Sequence, residues 1–335
     1  MVKLLEKAFG SEWWKQKDSL GNSIFPETCI SRNWAADRSI NKLRPMIRDG
    51  FDRLYIPGSS IKGAIRTAIA YNLLSKDQTK ISTIESTLAR KLGSIDKKKI
   101  ANDLFMANLF SNFALIYQGQ EVLGETSPQN TDVMRVVKIS DSSPMILNGD
   151  YNQSIISEVV ISSYFTQDEV NLAKVKNSPS NYVEMVHNVK AEFIFTLDKN
   201  DTEGMLSWFQ HKDNIQFPQS IGAIIDICKK FAQAQWKHER DYWNSIGNSQ
   251  NRNLDNIREF YSNETCPYDL RLGWATGMMG TTVDLLFSTG LRKNIRNTCC
   301  ARPAGDYVAP KSRRIAIDED GKIKYPLGWI KLEVL

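Results

Sequence analysis

Tyr55-Ile-Pro-Gly-Ser-Ser-Ile-Lys-Gly-Ala-Ile-Arg66 is the stretch on which the fold of this chain turns. It reads as the end of a short strand, a tight turn at Pro57-Gly58 and a helix beginning at Ser59 or Ser60. Proline fixes φ and glycine accepts positive φ, so the pair sets up a turn. Either serine hydroxyl can cap the first helical turn. Ile61, Ala64, Ile65, Ala68 and Ile69 then recur at helical spacing, giving one apolar stripe down to about Leu74. Lys62 and Arg66 lie four apart on one face, with Gly63 between them, where only hydrogen lets another backbone come close. Free N–H donors, two hydroxyls and two aligned cations make a phosphate-binding surface. The bland alternative is an ordinary strand–turn–helix with solvated charges. The stretch lacks the Walker A spacing, because Lys62 precedes the second glycine and no Ser or Thr follows it. That disfavours ATP and leaves a polyphosphate backbone open.

The chain around it has 335 residues, 41% hydrophobic and 24% charged, which is ordinary globular composition with enough length for one large or two modest domains. A formal charge of +5 suits an RNA partner without requiring one. No apolar run reaches transmembrane length, and Met1-Val-Lys-Leu-Leu-Glu-Lys7 lacks the apolar core of a signal peptide, so a cytoplasmic protein is expected. Five cysteines (Cys29, Cys228, Cys266, Cys299, Cys300) form no C-x-x-C pair, and with only His187, His211 and His238 a multi-histidine metal site is disfavoured. Reduced thiols, no metal and no cofactor are the expectation.

In chain order, residues 1–25 suggest a helix with Trp13-Trp14 near its end, then a turn around Gly21 and Pro26. Ser31 to Arg48 is basic with Trp34 interleaved, a combination that can grip phosphates and stack on bases or form a solvated loop. Residues 77–118 contain a Lys-rich helical stretch, with Lys97-Lys98-Lys99 on a wet face and Leu104, Phe105, Leu109 and Phe110 after it. Val133-Met-Arg135-Val-Val-Lys138-Ile139 alternates as a strand would, with Arg135 and Lys138 at opposite parity. Ile155–Tyr164 and Val189–Leu197 read as further strands. Thr202 to about Tyr242 reads as helical, with His238 on its surface rather than catalytic, and residues 247–263 as loop. Then come Leu270-Arg271-Leu-Gly273-Trp274-Ala-Thr-Gly277-Met-Met-Gly280, glycines after a strand and before a helix. Such a loop lets the main chain approach phosphates, though a plain tight turn is the alternative. The tail is basic, densest at Lys311-Ser-Arg-Arg314, and Tyr325-Pro-Leu-Gly-Trp329 leads into a closing strand.

Four of these landmarks carry a resemblance. Tyr55 to Arg66, Ser140-Asp141-Ser142, the glycine-rich loop at Gly273, Gly277 and Gly280, and the Pro-Leu-Gly-Trp ending occur in the order found in the RAMP superfamily, the RNA-binding subunits of type III CRISPR effector complexes. Lys62 to Thr67 most resembles the branch formed by the fifth subunit of the Csm series (type III-A), which caps the complex near the 3′ end of the guide RNA. The resemblance spans most of residues 30–335. It implies an α+β fold: a ferredoxin-like (RRM-like) RAMP core with antiparallel sheet and helical insertions. It also implies one domain over 1–335, with 202–263 as a mainly helical insertion. RAMP proteins open with a strand and a glycine-containing loop, and neither is evident here, so a truncated start, a split gene or a rearranged order is left open. In the element at Tyr182, Val183 stands where the family has arginine.

The resemblance implies guide RNA (crRNA) and other type III backbone subunits as partners, target RNA indirectly, and host ribonucleases as further candidates, with antiviral interference as the role. The RNA contacts it suggests are Ser59, Ser60, Lys62, Gly63, Arg66, Arg135, Arg271, Gly273, Gly277 and Gly280. No catalytic function is expected. The competing readings are an RNA-cleaving backbone subunit using Asp37, the weak catalytic candidate, and a guide-processing endoribonuclease. The first departs from the backbone subunits' glycine-containing loop. The second lacks a clustered His/Tyr/Ser or Lys set.

Overall fold

The computed structural model describes residues 2–21, 24, 42–51, 53–93, 100, 102–122, 129–145, 153–165, 171–175, 181–199, 204–248, 253–299, 309–310, 312–317 and 323–335. By contacts the chain divides into two units, Met1–Ile40 and Asn41–Leu335. The described part of the first holds helix α1 (Val2–Phe9), a 3-10 turn at Trp13–Lys15 and a turn closed by Gly21 at φ +83°.

The second unit is mixed helix and strand. Its earlier elements are β1 (Lys42–Arg44), α2 (Gly58–Ser75), α3 (Gln78–Lys91), α4 (Ala107–Ser111), β2 (Phe113–Tyr117), β3 (Gln120–Glu121), β4 (Val137–Ile139), β5 (Gln153–Phe165), β6 (Asn171–Val175), β7 (Asn181–Val186) and β8 (Phe195–Leu197). Then come α5 (Met205–Trp208), β9 (Phe209–His211), α6 (Ile221–Asn244), α7 (Asp255–Phe260), β10 (Leu270–Arg271), α8 (Gly277–Thr281), α9 (Thr289–Cys299), β11 (Ser312–Ile317), β12 (Ile323–Pro326) and β13 (Trp329–Ile330). The largest sheet runs β1-β7-β5-β11-β12, with β6 also on β5. Its pairs are antiparallel, as expected, except β1–β7, which is parallel. Smaller sheets pair β10 with β13, β3-β2-β9, and β4 with β8.

Helix α2 buries Ile61, Ile65, Ala68, Ile69 and Leu74 of the stripe its periodicity predicts, with Ala64 partly buried and Ala70 buried beside them. It packs on α6 inside the main apolar cluster. Helix α6, 24 residues and so about 36 Å long, joins two cores. Its first half faces α2, and its second half puts Trp236, Tyr242 and Trp243 against Leu254, Ile257 and Tyr261.

Several local expectations change. The block from Thr202 is not continuously helical: Phe209–His211 is a strand on β2, and the long helix starts at Ile221, capped by the Ser220 hydroxyl on Ala223 N–H at 3.1 Å. Residues 247–263 include α7. Residues 77–118 hold α3 and α4 and end in strand β2. Val133–Val136 is a 3-10 turn and only Val137–Ile139 is strand. The strand expected over 189–197 is limited to β8, while Asn181–Val186, holding Tyr182-Val-Glu184, is a strand in the large sheet. The closing segment is two short strands with Gly328 at φ +94° between them. Among the described residues Cys228, Cys266 and Cys299 are free thiols, and no helix is long and apolar enough to cross a membrane.

Candidate nucleic-acid interface

The start of α2 is built by segments far away in sequence. Leu54 and Ile56 accept backbone bonds from Met145 and Ser142, at 2.8 and 3.0 Å, so the expected short strand survives as extended chain beside residues 142–145. The Ser142 hydroxyl takes the Ile56 N–H at 2.9 Å, and the Asp141 carboxylate takes the Gly58 N–H at 2.8 Å. The helix therefore begins at Gly58, with Pro57 in the N-cap position making no side-chain cap, one to two residues ahead of the serines expected to cap it. A Cβ on Gly58 would fall 2.6 Å from the Ser140 carbonyl oxygen, so Gly58 is the glycine a close backbone approach requires. Ser60 and Ile61 N–H both reach the Pro57 carbonyl. The positive end of the helix is thus largely satisfied, and an aspartate already occupies it.

What remains outward is Ser59, Ser60 and Gly63, all exposed, with nothing within 4 Å of a Cβ on Gly63. The two cations part company. Arg66 is engaged by Asp132 through both carboxylate oxygens, at 2.7 and 3.0 Å, and lies over the Phe110 ring at 4.0 Å. Lys62 makes no ion pair among the described residues. Burial holds its pKa below the ordinary lysine value, with Asp132 opposing and Arg66 assisting that shift. The twin-cation expectation becomes one presented lysine beside one structural arginine. Arg135 is exposed in its 3-10 turn, tied to the Asn130 carbonyl at 2.9 Å.

The glycine loop divides in the same way. Gly273 (φ +89°) and Gly277 (φ +66°) are exposed, adopt the left-handed backbone that glycine tolerates, and have nothing within 4 Å of a Cβ. Between them Trp274 is 49% exposed, with Arg44 Cζ 3.4 Å and Arg314 Cζ 4.6 Å from its ring centroid. Gly280 is buried, and its Cβ would lie 2.6 Å from Thr276 Cβ, so it serves packing rather than ligand approach.

Arg271 is not at the surface. Only 4% exposed, it pairs with Glu239 at 3.8 Å and donates from Nε to the Leu327 carbonyl at 3.1 Å. Arg313, from the densest basic run, is also buried, with Nε 2.7 and 2.9 Å from the Glu239 oxygens. His238, expected on the helix surface, meets Arg313 at 3.2 Å, and burial with that neighbouring charge pulls its pKa down to about 4. A carboxylate on α6 thus gathers two arginines that a sequence shows only as basic residues. Asp37, Trp34, Lys97 to Lys99 and Lys311 lie outside the described residues.

The structure brings Ser59, Ser60, Lys62 and Gly63 together on α2, and Gly273 and Gly277 together in one loop. Sequence reasoning passed over Arg44, Trp274 and Arg314 as a group, and Asp132, Asp141 and Glu239 as the acids organising the cations. For Glu239 a signal existed: Gln235 and Glu239, four apart, sit on the otherwise apolar face of α6.

A family model for the RAMP superfamily matches residues 34–216. No curated protein matches the chain. Among solved structures, a chain from the "Cryo-EM structure of Csm-crRNA-target RNA ternary complex in type III-A CRISPR-Cas system" superposes with a TM-score of 0.51 at 21% identity, covering 86% of this chain and 75% of that one. The crystal structure of T. onnurineus Csm5 gives 0.46 at 20% identity, covering 87% and 74% respectively.

Proposed function

The chain belongs to the RAMP superfamily, and from that premise we propose that it is an RNA-binding subunit of a type III-A CRISPR effector complex, of the kind formed by the fifth Csm subunit. In this role it binds guide RNA, caps the filament of backbone subunits near the guide's 3′ end, and supports guide maturation and RNA-guided antiviral interference. Its partners are guide RNA and the neighbouring RAMP subunits, with target RNA reached through the guide and host ribonucleases trimming it, in the cytoplasm. The chain itself cuts nothing. On this reading an RRM-like ferredoxin core, one RAMP domain, carries the helices of 202–263 as an addition.

The observation that supports this most is the open glycine loop: two exposed glycines at positive φ with no described atom within 4 Å of a Cβ on either, in a chain of this family. Main chain there can approach a phosphate backbone, which is how sequence-independent RNA contacts are made. The test is co-expression of the tagged chain with type III-A backbone subunits and a guide precursor. The expected result is recovery of a ladder of subunits carrying guide RNA, with a filament of defined length. Recovery of the chain alone, free of RNA, refutes the proposal.

A further inference from the structure

We propose that Trp274, flanked by Arg44 and Arg314, is a stacking post for one unpaired nucleotide, accepting any base. This rests on the RNA-binding reading above and specifies the ligand of a site that reading leaves general.

Sheet register places both guanidiniums on one face. Arg44 pairs with Val183, Val183 with Ile156, and Val160 with Arg314. Directly paired residues share a face of a sheet, and so do residues an even number apart on one strand. Ile156 and Val160 are four apart, so Arg44 and Arg314 share one face. Arg313, one position earlier, belongs to the other face and is spent on Glu239. Two guanidiniums are thereby delivered to one indole, which arrives from a separate part of the chain.

The loop keeps that indole accessible. Left-handed glycines on either side turn the chain at Gly273 and again at Gly277, and among the described residues neither has a neighbouring atom where a side chain would sit. Half of Trp274 is therefore exposed instead of packed inward like Trp236 and Trp243, each 1% exposed. A third observation concerns Arg44. Its Nε is buried and has no hydrogen-bond partner among the described residues, an unmet donor on a cation, which an incoming acceptor would satisfy.

An unpaired nucleotide suits this arrangement. Its base has a flat π-face that extends a column of indole and guanidinium planes, and its phosphate supplies the acceptor and the negative charge. An acidic peptide would use the guanidiniums and leave the indole idle. Duplex RNA keeps its bases stacked on each other and cannot donate one. Because every base has a π-face, the contact tolerates any sequence.

The experiment measures binding of the full chain to single-stranded oligoribonucleotides of different composition, and to a duplex, across a salt series. We expect W274A to lose about tenfold in affinity for all single strands alike, with the salt slope unchanged, while W274F stays within about twofold of wild type. R44M should instead make the slope shallower by about one unit. W274L, which keeps bulk without aromaticity, should match W274A, and serves in its place if W274A folds poorly. If wild type binds RNA and W274A and W274L bind equally well, the stacking post is refuted while the RNA-binding reading stands. If wild type binds no RNA, both fall. Preference for duplex, or for an acidic peptide over RNA, also overturns the proposal.

Discussion

Replacing Glu239 with glutamine should unfold this protein more readily than any surface change, and its size can be worked out from the contacts. One carboxylate, 3% exposed at the side chain, faces Arg313 at 2.7 and 2.9 Å and Arg271 at 3.8 Å. Both guanidiniums are also buried, one against the Tyr242 ring at 3.8 Å and one against Trp329 at 5.1 Å. Burial alone would raise the Glu239 carboxyl, but the two arginines and His238 outweigh it and hold its pKa below the ordinary value. The glutamine keeps the shape and removes the charge, stranding two buried cations. Stripping one partner from a buried pair costs about 3–5 kcal/mol, and a pair at about 4 Å in an effective dielectric near 20 gives about 4 kcal/mol. With a urea m-value of about 3 kcal/mol/M, the midpoint should fall by about 1 M. Adding Arg313→Met to that background removes one stranded charge and should recover part of the loss. A midpoint shift under about 0.3 M, or strictly additive losses in the double variant, would refute the account.

Three further outcomes follow from the same geometry. His238 is neutral in the fold because its pKa is pulled down to about 4, whereas the unfolded chain takes up its proton near 6.5; stability is therefore intact above 6.5 and falls by up to about 3 kcal/mol as pH drops toward 4. His238→Gln should flatten urea midpoints measured between pH 4.5 and 7, and an unchanged slope would remove His238 from the explanation. Gly58→Ala should lower Tm, by about 1–3 kcal/mol of stability, because its Cβ meets the Ser140 carbonyl; Gly63→Ala, in open helix, should raise stability by up to about 1 kcal/mol. Lys62→Ala should make the salt dependence of RNA binding shallower by about one unit at unchanged Tm, whereas Arg66→Ala should lower Tm and leave the slope nearly as it was. The opposite pattern would mean that Arg66 leaves Asp132 to meet phosphate.

Helix α2 was legible because a 3.6-residue stripe is a local property of sequence. Its first residue was not, because the group that caps it, Asp141, lies 83 positions on. The stretch from Val133 misled for a different reason. Its first four residues form a 3-10 turn with Arg135 alone exposed, and only Val137–Ile139, with Lys138 outward, keeps the alternation of a strand. In α6 the apolar stripe was plain, but that it seals two cores depends on α7 and β11 packing back on it. Charge was least legible. Arg66, Arg271 and Arg313 all read as available cations, and each is held by a carboxylate distant in sequence.

The landmarks that read as four separate motifs meet in pairs. Pro57-Gly58 is clasped by Ser140-Asp141-Ser142 through two side-chain bonds and a glycine with no room for a Cβ. The closing Pro-Leu-Gly-Trp does the same for the glycine loop: Leu272 N–H bonds the Gly328 carbonyl at 2.7 Å, and a Cβ on Gly328 would strike the Leu272 carbonyl oxygen. Much of each motif is therefore spent on holding its partner. The residues left over face outward: Ser59, Ser60, Lys62 and Gly63 on one side, and Gly273, Trp274 and Gly277 on the other. Substitutions should sort accordingly, the clasping residues reporting through unfolding and the outward ones through RNA. A motif in this chain thus marks where two segments lock together, and the proposed RNA surface is what that lock leaves uncovered.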